Sequence, residues 1–207
     1  KFGFGSKTGV DLGGEKAGLL PSRKWKQRAR NKPWYPGETL ITGIGQGFIQ
    51  ITPLQLAKAT AQLANCGKAV RPHLVRRIER KAENIIPLQQ FSPNIKIDPR
   101  NAESIIQAMV NVVHGDRGTA HSISNGIDYR IAGKTGTAQV FTVKQEENYD
   151  ESRIDEKLRD HALFIAFAPA NDPRIAIAVI VENGGHGGSV AAPIARDVIH
   201  RYLSWES

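Results

Sequence analysis

The sequence is poor in cysteine and aromatic residues, and it has no long uninterrupted apolar run. Cys66 is the one cysteine in 207 residues, so the chain can form neither an intramolecular disulfide framework nor a multi-cysteine zinc site. No apolar stretch reaches the roughly 20 residues of a membrane-spanning helix. Hydrophobic residues make up 40% and charged residues 23% of the chain. These values are typical of a globular domain and exclude collagen-like, low-complexity and disordered chains.

The chain also opens without an initiator methionine or a signal peptide, on Lys1-Phe2-Gly3-Phe4-Gly5. The length suits one domain or most of a larger one. We therefore expect further elements of the same protein upstream of Lys1.

Acidic residues are missing from residues 22–32, although this segment holds six of the 28 basic residues. The six are Arg23, Lys24, Lys26, Arg28, Arg30 and Lys32. Because the formal net charge is +8, the rest of the chain is nearly neutral. We interpret the segment as a solvated loop with snorkelling side chains. Binding to an anionic membrane or cell-wall surface is an alternative. The interleaved Trp25 raises nucleic acid as a third possibility, but a short charge run is weak support and we expect no nucleic-acid partner.

Helix signals are clear in two places. Thr52-Pro53-Leu54-Gln55 is a capping box that begins a helix, and Asn65-Cys66-Gly67 ends it. Asp98 and Pro99 begin a second helix, which Gly115 ends. The faces predicted to be buried carry Leu56, Ala57, Thr60, Ala61, Leu63 and Ala64 in the first helix, and Ala102, Ile105, Ile106, Met109, Val110 and Val113 in the second. Residues 1–50 are glycine-rich and are predicted to form loops and short extended pieces.

Three strands are predicted in the second half, over residues 131–143, 163–168 and 175–181. The short turn at residues 170–174 makes the last two antiparallel neighbours. Residues 70–86 are predicted to be extended, and residues 184–188 to be a flexible glycine link. A final helix over residues 190–205 is predicted to turn Ile194, Val198, Tyr202 and Trp205 towards the core. The pattern predicts an α+β fold, in which helices flank an antiparallel sheet.

Two patterns resemble a nucleotide site and a metal site but lack the spacing that such sites need. Gly43-Ile44-Gly45-Gln46-Gly47 lacks the glycine spacing of a dinucleotide loop and the Gly-Lys-Ser/Thr of a phosphate loop, so we interpret it as a close backbone approach. The six histidines are scattered, and no two lie at metal-ligand spacing within a cysteine or carboxylate cluster. His161, at the mouth of an apolar strand, is the histidine of most interest. We expect neither a metal nor an organic cofactor.

The tripeptide Lys-Thr-Gly occurs twice, and context separates the copies. Lys7-Thr8-Gly9 runs into a loop-like segment and is interpreted as structural. Lys134-Thr135-Gly136-Thr137 lies in an extended run of small residues that precedes two apolar strands. Lys-Thr-Gly is one of three motifs of β-lactamases and penicillin-binding proteins.

The second copy has suitable chemistry for binding an extended peptide. The edge of a strand offers free N–H and C=O groups to such a peptide, and Gly136 lets a substrate lie close to the backbone. The hydroxyls of Thr135 and Thr137 can hold a carboxylate, and Lys134 adds a positive charge beside it. The backbone N–H of Thr137 can serve an oxyanion hole.

Together these segments resemble a known family. Gly43–Gly47, Ile51–Ala57 and Gly133–Val140 are similar to the transpeptidase domain of class B penicillin-binding proteins. Asp160–Pro169 and Val181–Gly184 are similar to its elongation-type branch, the penicillin-binding protein 2 group. The resemblance covers essentially the whole chain in the family's order. It implies the penicillin-binding protein and serine β-lactamase type of α+β fold, here incomplete.

The resemblance also implies what is missing. The family needs a Ser-x-x-Lys nucleophile motif and a Ser-x-Asn motif, and no serine here has lysine three positions on. Ser92-Pro93-Asn94 fits the second pattern but follows the glycine-rich segment, whereas the family places that motif earlier. We therefore expect residues 1–207 to be the C-terminal portion of a transpeptidase domain whose nucleophile segment lies upstream.

By this resemblance the whole protein is a serine D,D-transpeptidase that crosslinks peptidoglycan stem peptides during cell-wall elongation and is acylated by β-lactams. Lys134 and Thr137 are the catalytic candidates, and Thr135, Gly136 and Thr137 the substrate-binding candidates. The resemblance implies a periplasmic domain anchored to the inner membrane by an upstream segment, with a membrane glycan polymerase and a rod-shape scaffold as partners. A serine β-lactamase or β-lactam sensor shares the motif and is one alternative. A non-catalytic module that binds an anionic envelope surface through residues 22–32 is another.

Overall fold

The computed structural model describes residues 2–75, 94–139 and 159–205. In chain order the helices are α1 (Arg23–Arg30), α2 (Pro36–Gly43), α3 (Pro53–Ala64), α4 (Pro99–His114) and α5 (Ala192–Trp205). The strands are β1 (Ala132–Ala138), β2 (His161–Ala168) and β3 (Ile175–Val181). A short 3-10 helix (His121–Ser124) precedes β1, and a π-helical turn (Gly187–Ala191) leads into α5.

The three strands form an antiparallel sheet in the order β1-β2-β3. Gly136 pairs with Leu163, and Ala166 pairs with Ile177. Successive residues of β2 point to opposite faces of the sheet, so one strand contributes to two clusters. The predicted α+β class with an antiparallel sheet flanked by helices is confirmed.

The core lies on both sides of the sheet. On one face Phe164 of β2 is fully buried in a cluster with Ala195 and Ile199 of α5. On the other face Phe167 of β2 packs with Met109 and Val110 of α4. Within the described residues β2 is therefore the central strand, and β1 and β3 lie at the sheet edges.

The capping signals in the sequence are confirmed at α3 and α4. Thr52 Oγ1 accepts the N–H of Gln55 at 3.2 Å, and the Thr52 N–H donates to Gln55 Oε1 at 3.0 Å. The side chain of Gln55 is buried and also donates to the backbone oxygens of Ser6 and Ala17, each at 2.7 Å. At α4, Asp98 accepts the N–H of Arg100 at 2.9 Å. Each cap satisfies a backbone N–H that the first turn of a helix leaves unpaired.

The predicted inner faces of these two helices are only partly right. In α3 the buried residues are Gln55, Ala59, Thr60, Gln62 and Ala64. The buried face therefore includes two glutamines, and most of the residues predicted to be buried are not. In α4 the predicted residues Ala102, Met109, Val110 and Val113 are buried, whereas Ile105 is exposed. Polar side chains are buried in α3 because Gln55 and Gln62 hydrogen-bond backbone oxygens there.

The prediction for the inner face of the last helix is wrong. Ala192, Ala195 and Ile199 are the buried residues of α5. The predicted residues Ile194, Val198, Tyr202 and Trp205 are 44%, 46%, 39% and 84% exposed. Alanine lets α5 approach the sheet closely, so the small residues face inward and the larger apolar residues face outward.

Two further predictions are wrong. Residues 1–50 contain helices α1 and α2 in addition to loops. The glycine link is packed against the sheet, because Gly187 is buried and a Cβ there would lie 2.2 Å from the Leu163 backbone oxygen. The described part of the predicted extended segment, residues 70–75, forms no strand; residues 76–86 and 140–143 lie outside the described residues. No helix of the described residues is long and apolar enough to cross a membrane.

Candidate active-site region

Strand β1 carries the second Lys-Thr-Gly at an edge of the sheet. Lys134 and Thr137 are exposed, and Thr135 and Gly136 are half-buried. The Lys134 ammonium donates to the backbone oxygen of Thr135 at 2.8 Å, and the Gln46 side-chain amide donates to that of Thr137 at 3.0 Å. In an antiparallel strand alternate residues direct their backbone groups to the same side. Both oxygens bond side chains and not β2, so the outward backbone groups of Thr135 and Thr137 face the free edge of β1.

Lys134 lines an open cleft of about 520 Å³. The cleft lies between the C-terminal half of α4, the loop that follows it, and β1. Its other lining residues are Ala108, Asn111, Val112, Gly115, Arg117, Gly118 and Thr119. Two of the lining residues, Lys134 and Arg117, are cationic and none is acidic, so the cleft is suited to an anionic ligand such as a carboxylate.

The back of β1 is closed by small residues. The Thr135 hydroxyl lies 3.0 Å from that of Thr119, in the loop after α4. A Cβ at Gly188 would lie 2.2 Å from the Thr119 backbone oxygen, and one at Gly187 would lie 2.6 Å from that of Gly136. Only glycine permits these contacts, so the turn that starts α5 fixes the position of the Lys-Thr-Gly segment from behind.

His114 fixes the start of β1. Its Nε2 accepts the N–H of Ile131, one residue before the strand, at 3.0 Å. Burial, with smaller contributions from Arg130 and His121, holds the pKa of His114 below its ordinary value of 6.5. The neutral ring is the form that can accept this hydrogen bond, so the lowered pKa and the geometry agree.

The first Lys-Thr-Gly has a different environment. The N–H groups of Thr8 and Gly9 donate to the carboxylate of Glu15, at 2.5 and 3.2 Å. Burial opposes the charge on Glu15, but hydrogen bonds from Thr8 and Gly9 outweigh it and lower the pKa of this carboxyl. Lys134 lines the cleft, whereas Lys7, Thr135, Gly136 and Thr137 are not among its lining residues. These contacts give Lys7-Thr8-Gly9 a structural role in a loop.

Sequence reasoning missed three residues of this region: Gln46, His114 and Thr119. Gln46 lies in the glycine-rich segment interpreted as a close backbone approach. That interpretation is wrong at Gly43 and Gly45, where a Cβ would meet no atom within 4 Å. Gly45 and Gly47 instead have φ of +80°, which turns the loop so that Gln46 reaches β1. His161, the histidine of most interest in the sequence, accepts the N–H of Asn183 at Nδ1 and holds the end of β3 to the start of β2.

Comparison with known proteins places this geometry in a family. The family model described as the penicillin-binding protein transpeptidase domain matches residues 1–200. Peptidoglycan D,D-transpeptidase MrdA of Haemophilus influenzae is 43% identical over 204 residues, covering 98% of this chain and 31% of the relative. The Escherichia coli protein of the same name is 41% identical over 204 residues, 98% of this chain and 32% of the relative. The chain thus spans about a third of the length of the curated relatives it matches.

Solved structures agree. PBP2 of Pseudomonas aeruginosa, solved in complex with WCK 5153, is 48% identical with a TM-score of 0.82, over 98% of this chain and 42% of that one. PBP2 of Helicobacter pylori, solved in complex with MreC, is 30% identical with a TM-score of 0.78, over 99% of this chain and 34% of that one. The resemblance to the penicillin-binding protein 2 group is therefore confirmed, and the chain belongs to the penicillin-binding protein transpeptidase family.

Proposed function

We propose that the whole protein, of which this chain forms part, is a peptidoglycan D,D-transpeptidase that acts through an acyl-serine. The observation that carries the proposal is the position of Lys134. It lies at the free edge of β1 and lines a cleft with two cations and no carboxylate among its lining residues. An extended peptide with a terminal carboxylate fits such a site, because the strand edge offers backbone hydrogen bonds and the cations offer charge.

Each residue of the Lys-Thr-Gly segment has a proposed role. Lys134 stabilises negative charge near the reacting carbonyl and supports proton transfer. The hydroxyls of Thr135 and Thr137 bind the terminal carboxylate. Gly136 keeps the strand edge open, and the N–H of Thr137 donates to the oxyanion that forms on the carbonyl. Thr119 positions Thr135 through the 3.0 Å contact between their hydroxyls.

The proposed nucleophile is a serine elsewhere in the whole protein. Its Oγ attacks the carbonyl of the penultimate D-alanine, the terminal D-alanine leaves with a proton, and an ester remains on the serine. An amine of a neighbouring stem peptide then attacks the ester, and the serine regains its proton. Residues 1–207 are accordingly proposed to be the C-terminal portion of the transpeptidase domain.

Partners and location are proposed from the same relationship. Peptidoglycan stem peptides and β-lactams are the proposed ligands, and the upstream part of the same protein completes the site. A rod-shape scaffold is one proposed protein partner, and the structure of Helicobacter pylori PBP2 in complex with MreC supports a protein partner for this chain. A membrane glycan polymerase is the second proposed partner. The domain is proposed to lie on the periplasmic face of the inner membrane, held by an upstream anchor.

The test is product analysis with the whole protein. Incubated with a pentapeptide ending in D-Ala-D-Ala and an amine acceptor, it should release D-alanine and form the crosslinked amide. It should be acylated by penicillin and release the hydrolysed drug slowly. Rapid hydrolysis of penicillin without crosslinking would instead identify a β-lactamase, and absence of both acylation and crosslinking would overturn the proposal.

A further inference from the structure

The basic segment forms a helix with a cationic surface that has no counter-charge among the described residues. Ser22 caps α1 by accepting the N–H of Trp25 at 3.2 Å, and Asn31 ends the helix with φ of 51°. The α1 cationic surface consists of the exposed side chains of Arg23, Lys24, Arg28, Arg30 and Lys32. No ion pair within the described residues joins any of them to a carboxylate. The interpretation of this segment as a loop is therefore wrong.

This arrangement of charge favours the helix only at its C-terminal end, where Arg28 and Arg30 lie in the last turn. Arg23 and Lys24 lie in the first turn, where the positive end of the helix dipole favours acidic residues, and α1 has none there. Lys24 and Arg28 are one turn apart, so their like charges repel. At its N-terminal end the helix therefore carries charges that oppose its own dipole, and such local conflicts are expected at functional surfaces.

The surface is held in a fixed position. Lys26 is buried, forms an ion pair with Glu38 of α2, and lies 4.2 Å from the centre of the Tyr35 ring. Glu38 also accepts the Tyr35 N–H at 2.8 Å, and the Lys26 and Tyr35 hydrogen bonds lower its pKa. The Trp25 ring packs 5.2 Å from that of Phe48. One lysine of the segment thus anchors the helix, and the exposed cations are presented outward.

A series of contacts links α1 to the C-terminal end of β1. Phe48, which packs against Trp25, follows two residues after Gln46, which is bonded to Thr137. The Arg30 guanidinium lies 5.8 Å from the centre of the Phe48 ring. A peptide antiparallel to β1, with its terminal carboxylate at Thr135, runs with its preceding residues towards Thr137 and beyond. That is the end of β1 that Gln46 and Phe48 link to α1.

We propose that the α1 cationic surface binds carboxylate side groups of the peptide substrate, upstream of its terminal D-Ala-D-Ala. This inference rests on the proposed function, and it assigns a substrate-selecting role to a surface outside the Lys134 cleft. Long-range attraction adds to this role by steering acidic peptides to the cleft at low ionic strength. Two other occupants are alternatives: an anionic lipid surface, and the six acidic residues between positions 146 and 156 of the chain itself.

The experiment compares two pentapeptides that end in D-Ala-D-Ala and carry either two glutamates or two glutamines before it. D-alanine release is measured with the whole protein, the double variant Lys24→Gln/Arg28→Gln, and the control Lys68→Gln/Arg201→Gln. The control removes two exposed cations elsewhere on the surface. For the glutamate peptide, the first variant should raise KM about 3- to 10-fold at low salt with kcat unchanged, and the effect should shrink at high salt. The glutamine peptide and the control should show no change.

Each other outcome overturns the inference. Equal KM changes for both peptides, or none, exclude recognition of substrate carboxylates by α1. If the first variant instead loses co-sedimentation with phosphatidylglycerol vesicles while the KM ratio is constant, the occupant is a lipid surface. If the first variant changes only the unfolding midpoint of the protein, the α1 cationic surface binds the chain's own acidic residues. A wild-type protein that neither releases D-alanine nor is acylated by penicillin refutes the proposed function and this inference together, whereas an active protein with unaffected variants refutes this inference alone.

Discussion

The side-chain amide of Gln46 donates to the backbone oxygen of Thr137 across 91 positions of sequence, at 3.0 Å. A primary amide thus occupies an acceptor that a peptide pairing with the edge of β1 would use. The Lys134 ammonium holds the neighbouring outward oxygen, that of Thr135, at 2.8 Å. Both outward carbonyls of the Lys-Thr-Gly segment are therefore bonded by the protein itself, and a ligand that needs them has to displace these groups.

Replacing Gln46 with alanine should accelerate acylation selectively. A β-lactam whose side-chain amide N–H pairs with Thr137 no longer competes with Gln46, and its acylation rate constant should rise about 2- to 10-fold, the equivalent of one net hydrogen bond. Imipenem lacks such an amide and should react at the wild-type rate. Stopped-flow acylation of the whole protein measures both, with Gln50→Ala as the control, because the Gln50 side chain is exposed and its backbone pairs with Leu19. A slower reaction with both drugs would mean that Gln46 supports the strand instead.

The two Lys-Thr-Gly copies allow a matched comparison. In the whole protein, Lys134→Ala should reduce acylation by a fluorescent penicillin about 10²- to 10³-fold, because a preorganised charge at the reacting carbonyl is lost. Lys7→Ala should leave the rate unchanged, since that copy is a loop in which Thr8 and Gly9 bind Glu15. Circular dichroism should show the same fold for both variants. Wild-type acylation by Lys134→Ala would remove this lysine from the mechanism.

Features that depend on residues close together in sequence were predicted correctly. The capping residues Thr52 and Asp98 set the starts of α3 and α4 where predicted, because a cap depends on residues within one turn of helix. The two apolar strands and their antiparallel pairing were predicted from a short turn between them. The Lys-Thr-Gly of β1 was separated from its loop copy by the small residues around it.

Features that depend on contacts distant in sequence could not be predicted. The inner face of α5 was misassigned because Ala195 is less hydrophobic than Val198, yet alanine permits the closer approach to the sheet. The packed glycines at 187 and 188 look like a flexible link until β1 and the Thr119 loop are placed against them. Gln46 and Thr137 likewise give no joint signal in a single sequence.

A methyl group at Gly187 should destabilise the protein. The added Cβ would lie 2.2 Å from the Leu163 oxygen and 2.6 Å from the Gly136 oxygen, and backbone atoms cannot move aside without shifting β1. Gly187→Ala should lower the free energy of unfolding by about 1–3 kcal/mol and slow acylation. Gly43→Ala is the control, because a Cβ there meets no atom within 4 Å. Denaturant unfolding of the whole protein measures the difference, and equal midpoints for the two variants would refute the packing role of Gly187.

The stability of the β1 start should depend on pH through His114. The folded-state pKa of His114 lies below its ordinary value of 6.5, so its contribution is present above about pH 6.5 and is lost as pH falls through the folded-state pKa. His114→Gln retains an acceptor for the Ile131 N–H but does not titrate. Between about pH 7.5 and pH 5 the wild type should therefore lose more stability than this variant. His200→Gln, which removes an exposed histidine of α5, is the control for the loss of an imidazole ring. Parallel pH profiles for wild type and His114→Gln would exclude His114 as the titrating group.

The residue to which penicillin attaches shows most directly where the nucleophile lies. The whole protein should be incubated with penicillin, its intact mass measured, and the adduct located by peptide mapping. We predict one penicillin per protein molecule, on a serine outside residues 1–207, since no serine in this chain has lysine three positions on. An adduct on a serine or threonine within residues 1–207, or no adduct at all, would contradict the assignment of this chain as the Lys-Thr-Gly portion of an acyl-serine transpeptidase.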